Sequence, residues 1–147
     1  MTLSRYFSEI QRCAMLFRNA RKEETGVGGH AYPYLFRIYH HPGLRLDELC
    51  RALHVNKSNV TRAMTHLEEA GMIYRTADQK DKRAFNVYLT PKGEETIPKL
   101  RKVTKEWNEI LRTSFNDEQW EDFLQKIDVI HSKAIDLAER IQKEETV

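Results

Sequence analysis

The chain contains no uninterrupted apolar run of roughly 18 residues, so no membrane-spanning helix is expected among its 147 residues. Its opening segment, MTLSRYFSEIQRC, places charges where a secretory leader requires an apolar core, which points to a cytoplasmic protein. Only two cysteines occur, Cys13 and Cys50, and they form no C-x-x-C pair. Neither a disulfide framework nor a zinc knuckle is indicated. A Gly-rich phosphate loop, a G-x-S-x-G elbow and an H-E-x-x-H helix are all missing, and no carboxylate pair is brought together by the expected elements. No enzyme, catalytic residue or cofactor is therefore expected. His40 and His41 are neighbours, but adjacent helical positions point about 100° apart, so they do not share one ion and no metal site is assigned.

Net charge is also scarce, at +2. Its distribution carries more information than its sum. Between Arg51 and Gly93 there are eight Lys or Arg against four acids, and the rest of the chain is slightly acidic. A basic middle flanked by acidic helices fits a polyanion at the centre and protein contacts on the flanks.

What is present is strongly periodic. Leu3, Tyr6, Phe7, Ile10, Cys13, Ala14 and Phe17 recur at steps of three and four, predicting a first amphipathic helix that fades by Glu24, before the break Thr25-Gly-Val-Gly-Gly29. Pro33 suits the first turn of a second helix, apolar nearly all round, that His41-Pro-Gly43 stops. Leu46, Leu49, Cys50 and Leu53 outline a short third helix. Asn56 is placed to cap a fourth, with Val60, Ala63, Met64 and Leu67 inward and Gly71 as its end. The period then changes. Phe85, Val87 and Leu89 alternate as in a half-buried strand, with Ile73 to Thr76 as partner and Ala77 to Arg83 as a charged hairpin tip. Thr90-Pro91 starts a long fifth helix, in which Pro98 predicts a kink near residues 94 to 98. Asn116 caps the last helix, whose apolar residues repeat in a single stripe suited to coiled-coil-like packing.

Two short helices joined by a tight turn and followed by a two-stranded ribbon describe a winged helix-turn-helix, in which the second of the two helices enters the DNA major groove. The outward face of that helix carries Lys57, Ser58, Thr61, Arg62 and Thr65, with Asn56 and Asn59 at its edge. Arg62 can address the O6 and N7 edge of guanine, and the hydroxyls can reach bases or phosphates. The bland alternative is the solvated side of an amphipathic helix. Three independent features argue against it: the absence of any acid from Asn56 to Leu67, the helix-turn-helix pattern, and the basic hairpin that follows. In that hairpin Lys80, Lys82 and Arg83 suit the minor groove or its bordering phosphates, and Asp81 is placed to pair with and orient Arg83. A plain solvated turn is the other reading of the tip.

The order of elements, with Asp81-Lys-Arg83 and Leu89-Thr-Pro-Lys-Gly93, resembles the D-x-R…L-T-x-x-G signature of the multiple-antibiotic-resistance repressor (MarR) family. The stretch Leu53 to Ile73 is similar to that family's recognition helix and its surroundings. The resemblance implies a mostly α protein with a small β-wing: a winged helix-turn-helix domain over 31–92, and helical dimerisation regions over 1–30 and 93–147. It also implies a homodimeric transcriptional repressor on double-stranded DNA with a pseudo-palindromic operator, released by a small phenolic or lipophilic effector. Arg45 departs from the family, which often has Ser or Thr there to cap the third helix; either the cap is weaker here or Arg45 serves a phosphate.

Two regulatory readings follow from the resemblance. A candidate effector pocket would involve Phe17, Tyr34, Ile38 and Tyr39, for which ordinary core packing is the alternative. A redox switch would involve Cys13, placed like the reactive cysteine of peroxide-responsive relatives; the alternative is a small buried hydrophobe, since a reactive thiolate needs a polar neighbour and Phe17 offers none. A helical interaction module that binds no DNA is the remaining competitor, opposed by the basic middle segment.

Overall fold

The computed structural model describes residues 1–147, which form two compact units, Met1–Trp107 and Asn108–Val147. In the first unit, α1 spans Leu3–Ala20 and starts where the Thr2 hydroxyl accepts from the Arg5 amide. A short α2 (Lys22–Thr25) and a 3-10 turn (Gly29–Ala31) lead into α3 (Tyr32–His40), with Pro33 in its first turn as expected. α3 is the central element: Tyr32, Tyr34, Leu35 and Ile38 are all buried.

Next come β1 (Leu44–Arg45), α4 (Leu46–Leu53), α5 (Lys57–Glu69), β2 (Ile73–Ala77) and β3 (Phe85–Leu89). β1 was not expected. It pairs antiparallel with β3, Leu44 opposite Val87, so the wing is a three-stranded sheet of order β1-β3-β2. β2 pairs with β3 through five residues, from Ile73 opposite Leu89 to Ala77 opposite Phe85. Strand alternation places Val87 fully in the core, whereas Phe85, expected inward, is 44% exposed because the hairpin has by then extended beyond the helices. The core is closed by Leu49 of α4, Val60 and Met64 of α5, Ile73, and Ile97, Leu100 and Val103 of α6 (Pro91–Arg112). Each is at most 2% exposed, so burial of these side chains is what fixes the depth of α5. α6 is helical throughout and continues past Pro98, which is exposed.

In the second unit α7 (Asp117–Glu145) begins with a reciprocal cap: Asn116 Oδ1 accepts from the Gln119 amide and Gln119 Oε1 accepts from that of Asn116. Phe115, Trp120 and Phe123 cluster beside it, with ring centroids 5.5–6.4 Å apart. α7 has no buried residue, and its stripe of Phe123, Leu124, Ile130, Leu137 and Ile141 faces solvent. α1 likewise leaves Leu3, Tyr6, Phe7 and Ile10 exposed. Cys13 is exposed on it rather than buried as a small hydrophobe.

Candidate nucleic-acid interface

The amino end of α5 is organised by one side chain. Asn56, in extended conformation, accepts from the Asn59 amide at 2.9 Å and from the Ser58 hydroxyl at 3.0 Å. The helix start is thereby satisfied without an acidic residue in the first turn, which leaves its positive dipole end uncompensated. Val60, Met64 and Leu67 bury the rear of the helix. Lys57, Ser58, Asn59, Thr61, Arg62 and Thr65 are all exposed on it, as the sequence predicts. Arg62 reaches only Asn59 Oδ1, at a long 3.5 Å, so most of its guanidinium donors are free. Thr65 donates to the Thr61 carbonyl and keeps its lone pairs for an incoming donor.

The wing tip is folded by two aspartates. Asp78 Oδ1 accepts from the amides of Lys80 (2.9 Å) and Asp81 (3.1 Å), and these backbone donors hold its carboxyl below the usual carboxylate range. Asp81 Oδ1 accepts from the Arg83 backbone amide at 3.0 Å. Asp81 therefore orients the main chain of Arg83 and not, as expected, its guanidinium. The side chains of Lys80, Lys82 and Arg83 remain exposed and unpaired.

Not every cation of the basic segment is available. Arg75 is bound to Glu68 at 2.8 Å and Arg51 to Asp47 at 3.2 Å. Arg45 forms no cap for α4; its guanidinium is taken by Asp47 (3.2 Å) and Glu48 (3.4 Å), so it is not held ready for a phosphate. The free cations are Lys57 and Arg62 on α5 and Lys80, Lys82 and Arg83 on the wing, and they are those the spacing had singled out. Sequence reasoning missed the stack of Tyr74 on Tyr88 (5.4 Å), one across from the other on the wing, and the use made of Lys92.

The four candidate pocket residues are not gathered around one space. Tyr34 and Ile38 lie in the core, Phe17 packs on Trp107 (5.5 Å), and Tyr39 lies under the Arg101 guanidinium (5.1 Å). A cleft of about 510 Å³ lies elsewhere, between the segment 22–31 and the rear of the carboxyl half of α5, lined by Lys22, Val27, His30, Ala63, His66 and Ala70 among others.

The family model described as "MarR family" matches residues 31–85, from α3 to the start of β3. An uncharacterized HTH-type transcriptional regulator of Bacillus subtilis, YybA, is 31% identical over 112 residues, covering 76% of this chain and 75% of that protein. The chain belongs to the MarR family. A MarR transcriptional regulator from Methanosarcina mazei has the same fold, with a TM-score of 0.87 at 28% identity over 92% of this chain and 97% of that one. So does MepR of S. aureus, solved as a DNA complex, with a TM-score of 0.80 at 22% identity over 90% and 98%. MarR-family proteins are transcriptional regulators, not enzymes. Within that frame α5 is the second helix of the helix-turn-helix, α4 the first, and the three-stranded sheet with the β2–β3 tip is the wing. No helix is long and apolar enough to cross a membrane.

Proposed function

We propose that this MarR-family regulator is a cytoplasmic homodimeric repressor that reads a pseudo-palindromic operator, with α5 in the major groove and the wing tip against the flanking minor groove. The observation that carries this reading is the set of five unpaired cations, on a helix without an acid from Asn56 to Leu67 and on an adjoining hairpin tip. Arg62 then addresses a guanine edge; Lys57, Asn56, Ser58, Asn59, Thr61 and Thr65 contact bases or phosphates; Lys80, Lys82 and Arg83 hold the minor-groove border. MepR, which shares the fold, was solved bound to DNA. The apolar stripes left open on α1 and α7 support a second copy as partner, because exposed apolar faces of this extent mark association surfaces. Two recognition helices about 34–36 Å apart would then meet successive major grooves.

Release by a small phenolic or lipophilic effector completes the proposal. The cleft behind α5 supports it, since a molecule lodged there would bear on the recognition helix. A second reading, peroxide sensing by Cys13, draws on the exposure of that thiol. Unchanged operator affinity after treatment with an organic hydroperoxide would remove it.

The decisive experiment is fluorescence-anisotropy binding to a duplex from the gene's own upstream region across a salt series, with a scrambled duplex as control. Preference for the native duplex with a steep salt slope is expected. Equal weak binding to both would mean either that the operator lies elsewhere or that DNA recognition is not this protein's main task. Sedimentation of Leu137→Glu alongside the parent tests the dimer: the variant should shift toward monomer.

A further inference from the structure

The carboxyl end of α5 and the amino end of α6 are joined by a cluster of directional bonds. Lys92 Nζ donates to the carbonyl of Ala70 at 2.9 Å, meeting an orphan acceptor at the negative end of the α5 dipole. The Thr90 hydroxyl donates to the Gly71 carbonyl and accepts from the Gly93 amide at 3.1 Å. The Thr90 amide donates to the Met72 carbonyl at 3.0 Å. Met72 is 1% exposed, and its sulfur lies 3.5 Å from the Thr96 hydroxyl of α6.

These bonds add to what the core does. Val60, Met64 and Leu67 are buried on one side of α5, so packing already sets its depth and the face that it turns outward. Hydrogen bonds at fixed carbonyls do set axial position and rotation, because they weaken steeply with misalignment. The cluster therefore adds a directional restraint at the carboxyl end of α5 to the phase of the exposed face, the quantity on which reading a base edge depends. Lys92 differs from the other cations of its segment, which either meet solvent or an acid: its ammonium is spent on a helix terminus.

We infer that Lys92, backed by Thr90, is a positioning residue for operator recognition that clasps the carboxyl end of α5 to α6 and touches no DNA itself. This rests on the reading of α5 as the recognition helix. Lys92 is exposed, so Lys92→Met leaves the core intact, and helicity and melting temperature confirm that the variant is folded. Anisotropy titrations across a salt series then compare the parent, Lys92→Met and Lys92→Arg on the operator and on a scrambled duplex.

The expected result is a roughly tenfold loss of operator affinity for Lys92→Met, in line with a lost charge-assisted bond, with an unchanged salt slope, unchanged binding to the scrambled duplex, and recovery in Lys92→Arg. A slope shallower by about 0.9 with equal loss on both duplexes would mean that Lys92 neutralises a phosphate, and the inference falls. Parental affinity in Lys92→Met also overturns it. Arg62→Ala serves as the control: if that variant too binds like the parent, the assignment of α5 has failed; if it alone is weakened, only the role of Lys92 has.

Discussion

The guanidinium of Arg21, at the end of α1, grips the carboxylate of Glu106 on α6 across 85 residues of sequence, and also binds Glu24 at 2.8 Å. Lys102 adds a second contact to Glu24 at 3.4 Å. Hydrogen bonds from Arg21 hold both carboxyls below the usual range, and the same partners raise the guanidinium further above its own. A carboxylate whose pKa is lower in the folded chain stabilises the fold above its unfolded pKa, about 4.3 for Glu, and loses that contribution as pH falls through the depressed value. The melting temperature of the parent should therefore drop more steeply below about pH 4.3 than that of Glu106→Gln. Parallel curves for the two proteins would show that this network adds nothing.

A β-carbon on Gly93 would stand 2.1 Å from the Met72 carbonyl oxygen and 3.1 Å from the carbonyl carbon. That oxygen cannot retreat freely, since it accepts from Thr90 and belongs to a buried residue. Gly93→Ala is expected to destabilise the first unit by about 1–3 kcal/mol, the usual range for overpacking. Urea denaturation gives the number, and a parental midpoint would show that α6 can shift away from the clash.

Arg62→Ala should cost about 1–3 kcal/mol of operator affinity and relax preference at a single base pair. Its long contact to Asn59 contributes little to folding, so the melting temperature should stay at the parental value. Binding measured on a panel of single-site operator variants separates this local loss of discrimination from a general weakening.

Asp78→Ala removes the acceptor shared by the Lys80 and Asp81 amides. Both bonds are exposed, so the melting temperature should stay close to the parental value. Amide exchange at residues 80 and 81 should accelerate all the same, and operator affinity should fall because the three tip cations lose a common frame. Exchange rates like those of the parent would mean that the turn is held without the side chain of Asp78, by the backbone bonds among Asp78, Asp81 and Ala84 and by the Asp81 side chain.

Helix positions and the inner face of α5 were legible in the sequence because each rests on a period of burial that repeats through several turns. The outward cations of α5 and the tip were legible for the complementary reason, that nothing apolar shares their face. Elements without a period were not. β1 is two residues long, too short for alternation to register, and it exists because β3 offers an edge at Asn86 and Val87. The partners of Arg45 and the backbone role of Asp81 depend on turn geometry that spacing does not encode. Phe85 follows the alternation of a buried strand, but burial ends where the helices end, and that limit belongs to tertiary packing. Tyr34 and Ile38 carry the same apolar signal whether a site is filled by neighbours or open to a ligand, and here neighbours fill it.

Because β1 and β2 flank β3 at its centre, Asn86 and Val87 have a strand partner on both sides. The edges that remain open belong to a two-residue strand, to the short ends of β3 beyond it, and to a five-residue strand bearing Arg75. Polymers built by adding strand to strand need a long, flat, uncharged border, and this chain supplies none. When heat separates the proposed dimer, losses should run through the apolar faces of α1 and α7 that are then uncovered, giving amorphous precipitate in place of fibres.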